Sequence, residues 1–384
     1  MVTKKLSVIW VIIAVLACAT VMRSASARAA TERAADMLAA TGVRGGLVVH
    51  VGCGDGKLTA ALRRNDSYLV HGLDPDPEDV EKAREYINAR GLTGKVSVAH
   101  WDGGRLPYVE NLVNLMVVED GKGLSTQEIM RVLAPHGVAY IKQDGGWTKR
   151  VKPWPHEIDE WTHFLHGPDN NAVANDTVAG RPYHLQWVGS PKWARNHNYL
   201  ASVSAVVSAG GRLFKIVDEG PTHSVSLPPK WRLVARDAFS GVVLWKRRIH
   251  PWEEHLRTFR SGPPEVKRRL VAVDDRVYAT LGYGKPLKAL DAATGEPLRT
   301  YEDTEGVEEV IYDGGVLYLA MGERETLDPS VTAQRRATPA PRDKAIKAIK
   351  ADTGEVLWSK RDASTKETLP MTLCVSGGRA YYHD

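Results

Sequence analysis

Residues 45–64 read GGLVVHVGCGDGKLTAALRR, and this stretch decides the fold of the first part of the chain. The apolar run Leu47–Val51 predicts a strand, which breaks at Gly52, Gly54 and Gly56 and gives way to a helical pattern. Glycine tolerates the left-handed backbone of a tight turn and lets a ligand approach the main chain, because it has no Cβ atom. The stretch therefore predicts a strand, a glycine turn and a helix.

The residues that follow alternate between strand and helix patterns, which predicts a parallel, doubly wound α/β sheet of the Rossmann-like class. Asp74 ends the second strand, where an acidic side chain can accept hydrogen bonds from both ribose hydroxyls, and Asp102 follows the third. The further predicted strands are Tyr68–Leu73, Val96–Ala99, Leu112–Val118 and Val138–Ile141, and the further helices are Pro77–Gly91 and Thr126–Leu133, the last stopping at the turn Ala134-Pro135-His136-Gly137.

Three strings in this part resemble motifs of the class I S-adenosylmethionine-dependent methyltransferases. They are VVHVGCGDG from Val48, GLDPDPEDVEKAREYI from Gly72 and EIMRVLAPHGVAYI from Glu128, and the resemblance spans about Gly42 to Gln143. By position, the resemblance implies that Gly52, Gly54 and Gly56 cradle the methionine part of the cofactor, that Asp74 holds the ribose, and that Asp102 faces the adenine amino group.

Two positions depart from the pattern of that family. His50 stands where an acidic residue precedes the glycines, and Asn114 stands where the fourth strand starts with an acidic residue, so both are expected to remove a carboxylate from the cofactor edge. A histidine can still hydrogen-bond a methionine carboxylate. The sequence assigns no catalytic base, although it places His50, Asp55 and Glu119 near that edge.

The N-terminus has the three parts of a secretory signal peptide, which we assign to residues 1–29. Basic Lys4 and Lys5 precede an apolar run, and small residues then form overlapping A-x-A patterns that predict cleavage after Ala27 or Ala29. An uncleaved membrane anchor and lipid attachment at Cys18 remain alternatives. The chain is therefore expected to be exported to the periplasm or cell envelope, with membrane attachment only through an uncleaved signal or a lipid.

Residues 151–199 are rich in Trp, His, Asp and Asn and read as a connecting segment. His156 and Glu157 begin like an H-E-x-x-H zinc motif, but Glu160 occupies the second histidine position, so no metal site is assigned. A looser site using Asp159 and His163 is the alternative. The cysteines left after signal cleavage, Cys53 and Cys374, belong to different domains and predict neither a disulfide framework nor a zinc site.

Three later segments can be laid on one another as strand, turn and strand. They are LVARDAFSGVVLWKRRI from Leu233, LKALDAATGEPLRTYED from Leu287 and IKAIKADTGEVLWSKRD from Ile346, with turn glycines at 241, 295 and 354. A second kind of hairpin is centred on Gly210-Gly211, Asp274-Asp275, Gly314-Gly315 and Gly377-Gly378. Each repeat therefore carries the four strands of one propeller blade, with insertions such as Pro221–Lys230 and Glu323–Asp343.

The consensus of these repeats resembles the pyrroloquinoline-quinone-type propeller superfamily, which includes the propeller of the outer-membrane assembly lipoprotein. The resemblance implies a Trp that plugs the gap between neighbouring blades, and Arg299 replaces it in the second copy. Quinone enzymes of this type carry adjacent cysteines, and this sequence has no such pair, so quinone binding is not expected. About three blades and the start of a fourth are present, which predicts a propeller cut short at its C-terminus.

The predicted organisation is a signal peptide (1–29), a Rossmann-like methyltransferase-type domain (30–150), a connecting segment (151–199) and an incomplete all-β propeller (200–384). The first hypothesis is an exported binding or scaffold protein whose propeller recognises a protein or cell-envelope ligand. An active S-adenosylmethionine-dependent methyltransferase is the alternative, although an exported domain would meet little of that cofactor, and a quinone-dependent oxidoreductase comes third. The net charge of +5 is spread along the chain and predicts no nucleic-acid partner.

Overall fold

A computed structural model describes residues 25–120, 123–178, 180–182, 185–190, 193, 203–223, 227–250, 266–282, 284–322 and 344–383. The chain forms two compact units that divide between Trp154 and Pro155. Residues 1–24 of the predicted signal peptide, including Cys18, lie outside the described residues, as does the insertion Glu323–Asp343. Within the part of the chain that is described, no helix is long and apolar enough to cross a membrane.

The first unit is built on a six-stranded sheet with the strand order β3-β2-β1-β4-β5-β6. Strands β1 to β5 are parallel, and β6 pairs antiparallel with β5, so the predicted Rossmann-like α/β class is confirmed. The strands are β1 (Gly46–Val51), β2 (Tyr68–Asp74), β3 (Val96–His100), β4 (Val113–Val118), β5 (Leu133–Gln143) and β6 (Gly146–Val151).

Helices pack on both faces of this sheet. The first helix, α1, spans residues 25–41 and buries Ala34, Met37, Leu38 and Thr41, whose spacing of three and four residues forms one face. This face joins Val48 of β1 in one core, together with α2 (Lys57–Leu62) and α3 (Pro77–Asn88). The helix α4 (Thr126–Val132) packs on the opposite face.

The sequence predicts a turn between α4 and the last parallel strand, and this prediction is wrong. β5 begins at Leu133, directly after α4, and runs through Ala134-Pro135-His136-Gly137 without ending. His136 has φ of 61°, and the register against β4 shifts there, so the residues form an irregularity within the strand. The pairing survives because Lys152 accepts a hydrogen bond from the His136 amide and donates one to the Gly137 carbonyl (3.0 and 2.9 Å).

The described residues of the second unit form three four-stranded antiparallel sheets and one two-stranded sheet, each a simple up-and-down succession. The sequence repeats correspond to these sheets one for one, which confirms the predicted propeller-like part. The strands are β7 (Val203–Ala209), β8 (Arg212–Asp218), β9 (Trp231–Asp237), β10 (Val243–Arg248), β11 (Leu270–Val273), β12 (Arg276–Thr280), β13 (Leu287–Asp291), β14 (Pro297–Thr300), β15 (Val307–Asp313), β16 (Val316–Met321), β17 (Ala345–Lys350), β18 (Val356–Lys360), β19 (Cys374–Ser376) and β20 (Arg379–Tyr381).

Tryptophans join successive repeats, as their sequence implied. The Trp245 indole N–H donates to the carbonyl of Ala292 (2.9 Å), and its ring covers the turn glycine of the next repeat, Gly295. Trp187 makes the equivalent bond to Ala238, also at 2.9 Å. The segment read as a connector therefore supplies the tryptophan for the first repeat.

The substitution of Arg299 for this tryptophan is compensated two residues later. The Tyr301 hydroxyl donates to the carbonyl of Ala351 (2.5 Å), which is the position equivalent to Ala292 in the following repeat. Trp358 holds the corresponding place in the third repeat and is 41% exposed, against 8% for Trp245. The same residue type is thus covered in one repeat and open in another.

Candidate cofactor site at the carboxyl edge of the sheet

The candidate site lies where the order of strands reverses in the first unit. β1 and β4 are neighbours in the sheet although two strands separate them in the chain. Open α/β sheets bind ligands in the crevice outside the carboxyl ends of such strands. Gly52 follows β1 and Glu119 follows β4 at this point, and the ends of β2 and β3 lie beside them along the same edge.

The glycine turn has the left-handed backbone that its sequence predicts, with φ of 76°, 52° and 74° at Gly52, Gly54 and Gly56. The reasons for glycine differ along the turn. A Cβ atom on Gly56 would lie 2.7 Å from that of Ala83 in α3, so this glycine permits close packing. A Cβ atom on Gly54 would meet nothing within 4 Å, so the turn presents open main chain there.

Asp74 braces the glycine turn. Its carboxylate is 5% exposed and accepts hydrogen bonds from the amides of Gly54 (2.7 Å) and Asp76 (3.0 Å). A carboxylate offers about four lone-pair sites, so two such bonds leave capacity for ribose hydroxyls. Asp74 therefore fixes the turn and can bind a ligand with the same group.

Asp102 is placed at the end of the neighbouring strand. The preceding residue, Trp101, is buried; its amide donates to the carbonyl of Asp74 (2.9 Å) and its indole to that of Arg105 (3.2 Å). Asp102 itself is exposed. The structure thus brings the predicted residues Gly52, Gly54, Gly56, Asp74 and Asp102 to one edge of the sheet, and their cofactor roles stay predictions.

His50 lies beneath this edge and is tied into a chain of polar contacts. Its ring is 1% exposed, with Nδ1 2.8 Å from the Thr59 hydroxyl and Nε2 3.4 Å from the Glu119 carboxylate. Arg33 of α1 reaches the same carboxylate at 3.0 Å. Burial alone would raise the pKa of Glu119, but His50 and Arg33 together hold it below its ordinary value.

Position 50 carries no carboxylate, but an acidic side chain lies beside it. Glu119, at the end of the adjacent strand, supplies an acidic group within reach of His50. The sequence places both residues near the edge but does not indicate Arg33, which lies on the helix before the first strand and far from any motif. The buried spacing from Ala34 to Thr41 was the signal that could have revealed it.

Asn114 does not lie at the cofactor edge, so the expectation for it is wrong. It is the second residue of β4, and its side-chain oxygen accepts a hydrogen bond from the amide of Leu47 (2.8 Å) near the start of β1. The ends of β4 are separated by about 16 Å for a strand of this length. The presence of asparagine instead of an acidic residue at position 114 therefore does not change the acidic groups at the edge near Gly52.

Cys53 is the one thiol in the glycine turn, and it is 4% exposed. Burial, reinforced by the nearby negative charge of Asp74, raises its pKa to about 12. The thiol therefore stays protonated at neutral pH and is a poor nucleophile.

The alternative metal pair of the connecting segment is not assembled. Asp159 accepts a hydrogen bond from His166 (2.7 Å), and His163 is directed to the amide of Tyr312 (3.0 Å). Among the described residues no group of three or more His, Cys, Asp or Glu side chains is placed to hold a metal ion.

A cavity of about 410 Å³ lies at the outer edge of the sheet, between α3 and β3, with Glu81, Arg84 and Val98 among its lining residues. Two of these lining residues are hydrogen-bonded to each other, because Arg84 donates from Nε to the carbonyl of Val98 (3.2 Å). The cavity does not include the glycine turn, Asp74 or Asp102. None of the predicted cofactor residues lines this cavity, so we place the candidate site at the strand ends.

The fold combines a Rossmann-type α/β unit with propeller-like repeats, and comparison with known proteins finds a family model that matches part of each. Residues 48–137 match the family model described as a methyltransferase domain. Residues 229–384 match the PQQ_2 model, described as outer membrane protein assembly factor BamB. The chain therefore combines a methyltransferase-like domain with PQQ-type repeats.

Several methyltransferases and solved structures are similar to part of the chain. The methyltransferase GfsG of Streptomyces halstedii is 31% identical over 96 residues, which cover 23% of this chain and 34% of that protein. The chain thus spans about a third of the curated relative that it matches. A SAM-dependent methyltransferase from Aquifex aeolicus is 22% identical, covering 29% of this chain and 68% of that one with a TM-score of 0.26, and the YcgJ protein from Bacillus subtilis is 19% identical, covering 28% and 48% with a TM-score of 0.25.

Proposed function

We propose that the first unit binds S-adenosylmethionine at the carboxyl edge of its sheet. The observation that carries this proposal is the open main chain at Gly54, together with the carboxylates of Asp74 at the end of β2 and Asp102 just after β3. Acidic side chains at such an edge can accept hydrogen bonds from the two ribose hydroxyls and the amino group of a nucleoside. The match of residues 48–137 to the methyltransferase family supports the same ligand.

Each residue has a separate task in this proposal. The glycine turn admits the methionine part, Asp74 accepts the ribose hydroxyls, and Asp102 faces the adenine amino group. Arg33, with its side chain 43% exposed beside Glu119, supplies a positive charge for the methionine carboxylate. The bound cofactor would bring an activated methyl group, and methyl transfer then depends chiefly on holding an acceptor in line with it.

Calorimetric titration of the full-length protein with S-adenosylmethionine and S-adenosylhomocysteine tests the proposal. We expect dissociation constants in the micromolar range. Asp102→Asn should weaken binding about tenfold and leave the melting temperature unchanged, because Asp102 is exposed. Asp74→Asn should lower both binding and stability, because that carboxylate also holds the turn.

Asp66→Asn is the matched control, because Asp66 is exposed and its salt bridge is with Arg63, away from the turn. It should bind like the unaltered protein. A folded protein that shows no binding heat with either ligand would overturn the proposal and leave a methyltransferase-like domain that has lost its cofactor.

A second candidate function concerns the whole chain: an exported binding or scaffold protein of the cell envelope that recognises a protein or envelope ligand through its propeller. The match of residues 229–384 to the family described as an outer membrane assembly factor favours it. Fractionation of the native cells with N-terminal sequencing tests export. We expect an envelope fraction whose chain starts at Arg28 or Ala30, and an intact N-terminus in the cytoplasmic fraction would contradict it.

A further inference from the structure

The first strand of each repeat sheet in the second unit is an edge strand. β7, β11, β15 and β19 each pair with one neighbour, which leaves main-chain N–H groups on their other side. Successive members of this set also contact one another, so their edges face a common region. We call these four strands the inner strands.

One amide on each inner strand is bonded to the segment of residues 159–170. The Ser208 amide donates to the carbonyl of Trp161 (2.7 Å), and the Ala272 amide donates to that of Thr162 (2.9 Å). The Trp161 amide also donates to the hydroxyl of Ser208 (2.8 Å), so this first joint has two bonds.

The last two inner strands are held in the same way. The amide of Tyr312 donates to Nε2 of His163 (3.0 Å), and the amide of Val375 donates to the carbonyl of Pro168 (2.8 Å). The side-chain amide of Asn170 adds a bond to the carbonyl of Leu373.

The four donors occupy the same place in their repeats. Each stands two residues before the hairpin turn, as the positions 208, 272, 312 and 375 show against turns that begin at 210, 274, 314 and 377. The acceptors follow the order of the sheets, because they come from residues 161, 162, 163 and 168. A short piece of chain from outside the repeats thus meets four equivalent strand edges in succession.

We propose that residues 159–170 are an internal hub that fixes successive propeller repeats to one another through their inner edges, with the neutral imidazole of His163 as the joint to the third repeat. The hub gives edge amides the partners that they would otherwise lack in an array of this kind. It also occupies the inner edge that a ligand of the repeats would use, so recognition by this unit is directed to its other surfaces.

The joint at His163 depends on the charge of its ring. Nε2 accepts a bond only when it carries no proton, so the proton of the neutral ring lies on Nδ1, which is 2.7 Å from the hydroxyl of Thr162. The ring is 3% exposed, and burial lowers its pKa to about 4. The charged or titratable groups that face it are His166, which lowers that pKa, and Asp169, which raises it.

Amide hydrogen exchange of the full-length protein, resolved to single residues, tests the hub. His163→Phe keeps an aromatic ring but removes the acceptor, and the Tyr312 amide should then exchange at least about tenfold faster. The amides of Ser208 and Ala272 should change little. His163→Gln, which restores an acceptor oxygen, should recover part of the protection.

His156→Phe is the matched control, because His156 is exposed and lies just before residues 159–170, and it should leave all four amides unchanged. A folded His163→Phe protein with an unaltered Tyr312 amide would overturn the hub. Should that variant fail to fold, the imidazole ¹⁵N shifts of the unaltered protein decide: a ring protonated on Nδ1 that stays neutral at pH 5.5 supports the joint, and a ring that titrates near pH 6.5 overturns it.

Discussion

Both units contain glycine turns with positive φ, but these turns serve different purposes. A Cβ atom on Gly54 in the first unit would meet nothing within 4 Å. A Cβ atom on Gly295 in the second unit would lie 2.5 Å from the ring of Trp245. Their φ values, 52° and 71°, are similar. A left-handed glycine therefore points to a ligand only where the space in front of it is open, and elsewhere it permits packing.

The polar side chains of the two units differ in the same way. At the carboxyl edge of the first sheet, Asp102 is exposed and Asp74 keeps acceptor capacity beyond its two backbone bonds. In the second unit, Asp237 and Asp291 each bond the amides of their own turns. An identical residue type thus indicates function in one unit and turn formation in the other.

Removing a covering ring should have the largest effect. Trp245→Ala deletes a ring that is 8% exposed together with its bond to Ala292, and should destabilise the second unit by about 4 kcal/mol. Trp358→Ala, the same change at a ring that is 41% exposed, should cost less than about 1 kcal/mol. Urea unfolding followed by circular dichroism measures both, and equal losses would break the distinction between covered and open positions.

Adding a methyl group beneath that ring is the next test. Gly295→Ala forces a side chain into the left-handed region and against Trp245, and we expect a loss of about 3 kcal/mol. Gly378→Ala is its control, because φ is also 71° and a Cβ atom there meets nothing within 4 Å, so only the backbone cost of about 1 kcal/mol applies. Thermal unfolding of both variants compares the two costs, and similar melting temperatures would contradict our view of Gly295.

The second unit should be sensitive to acid, because His163 is buried within it. Its pKa of about 4 in the folded state lies below the ordinary 6.5, so the unfolded chain binds the extra proton as the pH falls between these values. The free energy of unfolding should therefore drop by roughly 2 to 3 kcal/mol from pH 6.5 to pH 4 on account of this residue. His163→Gln should remove that slope, and a variant with the full slope would assign it to other groups.

The smallest effect on stability, but a specific one on binding, is expected at the open turn. Gly54→Ala places its methyl group in empty space, so it should cost only about 1 kcal/mol of stability for its backbone. The same methyl group would occupy the ligand side of the turn, and affinity for S-adenosylmethionine should fall about tenfold. Gly145→Ala, a positive-φ glycine of the β5–β6 hairpin with nothing within 4 Å, should bind normally in the same calorimetric assay.

The sequence was sufficient for the order of elements, because both patterns are strongly periodic. The apolar strand of residues 47–51 and the three repeats led to a parallel sheet and to four-stranded units, and the structure contains both. Local turn chemistry was less reliable. Ala134-Pro135-His136-Gly137 reads as a turn, but pairing with Lys152, directly after β6, keeps those residues within β5.

The candidate site was predictable only where its residues belong to one motif. The glycines, Asp74 and Asp102 follow strands whose neighbours in the sheet could be inferred. Arg33 and Glu119 are separated by 86 positions in the sequence, and no local pattern predicts their contact. Asn114 shows the converse error, because a motif position does not say at which end of a strand it lies. The role of the connecting segment could not be predicted either, since several of its bonds to the repeats are made by main-chain carbonyls, which every residue type carries.

The position of the hub in the chain bears on how the protein is made. Residues 159–170 leave the ribosome, or emerge from an export channel, before any of the strands that they bond. Each repeat then finds its attachment point already present, and it can be added in chain order without waiting for a distant partner. Assembly of the second unit can thus proceed in one direction, with the earliest segment serving as the template for everything synthesised after it.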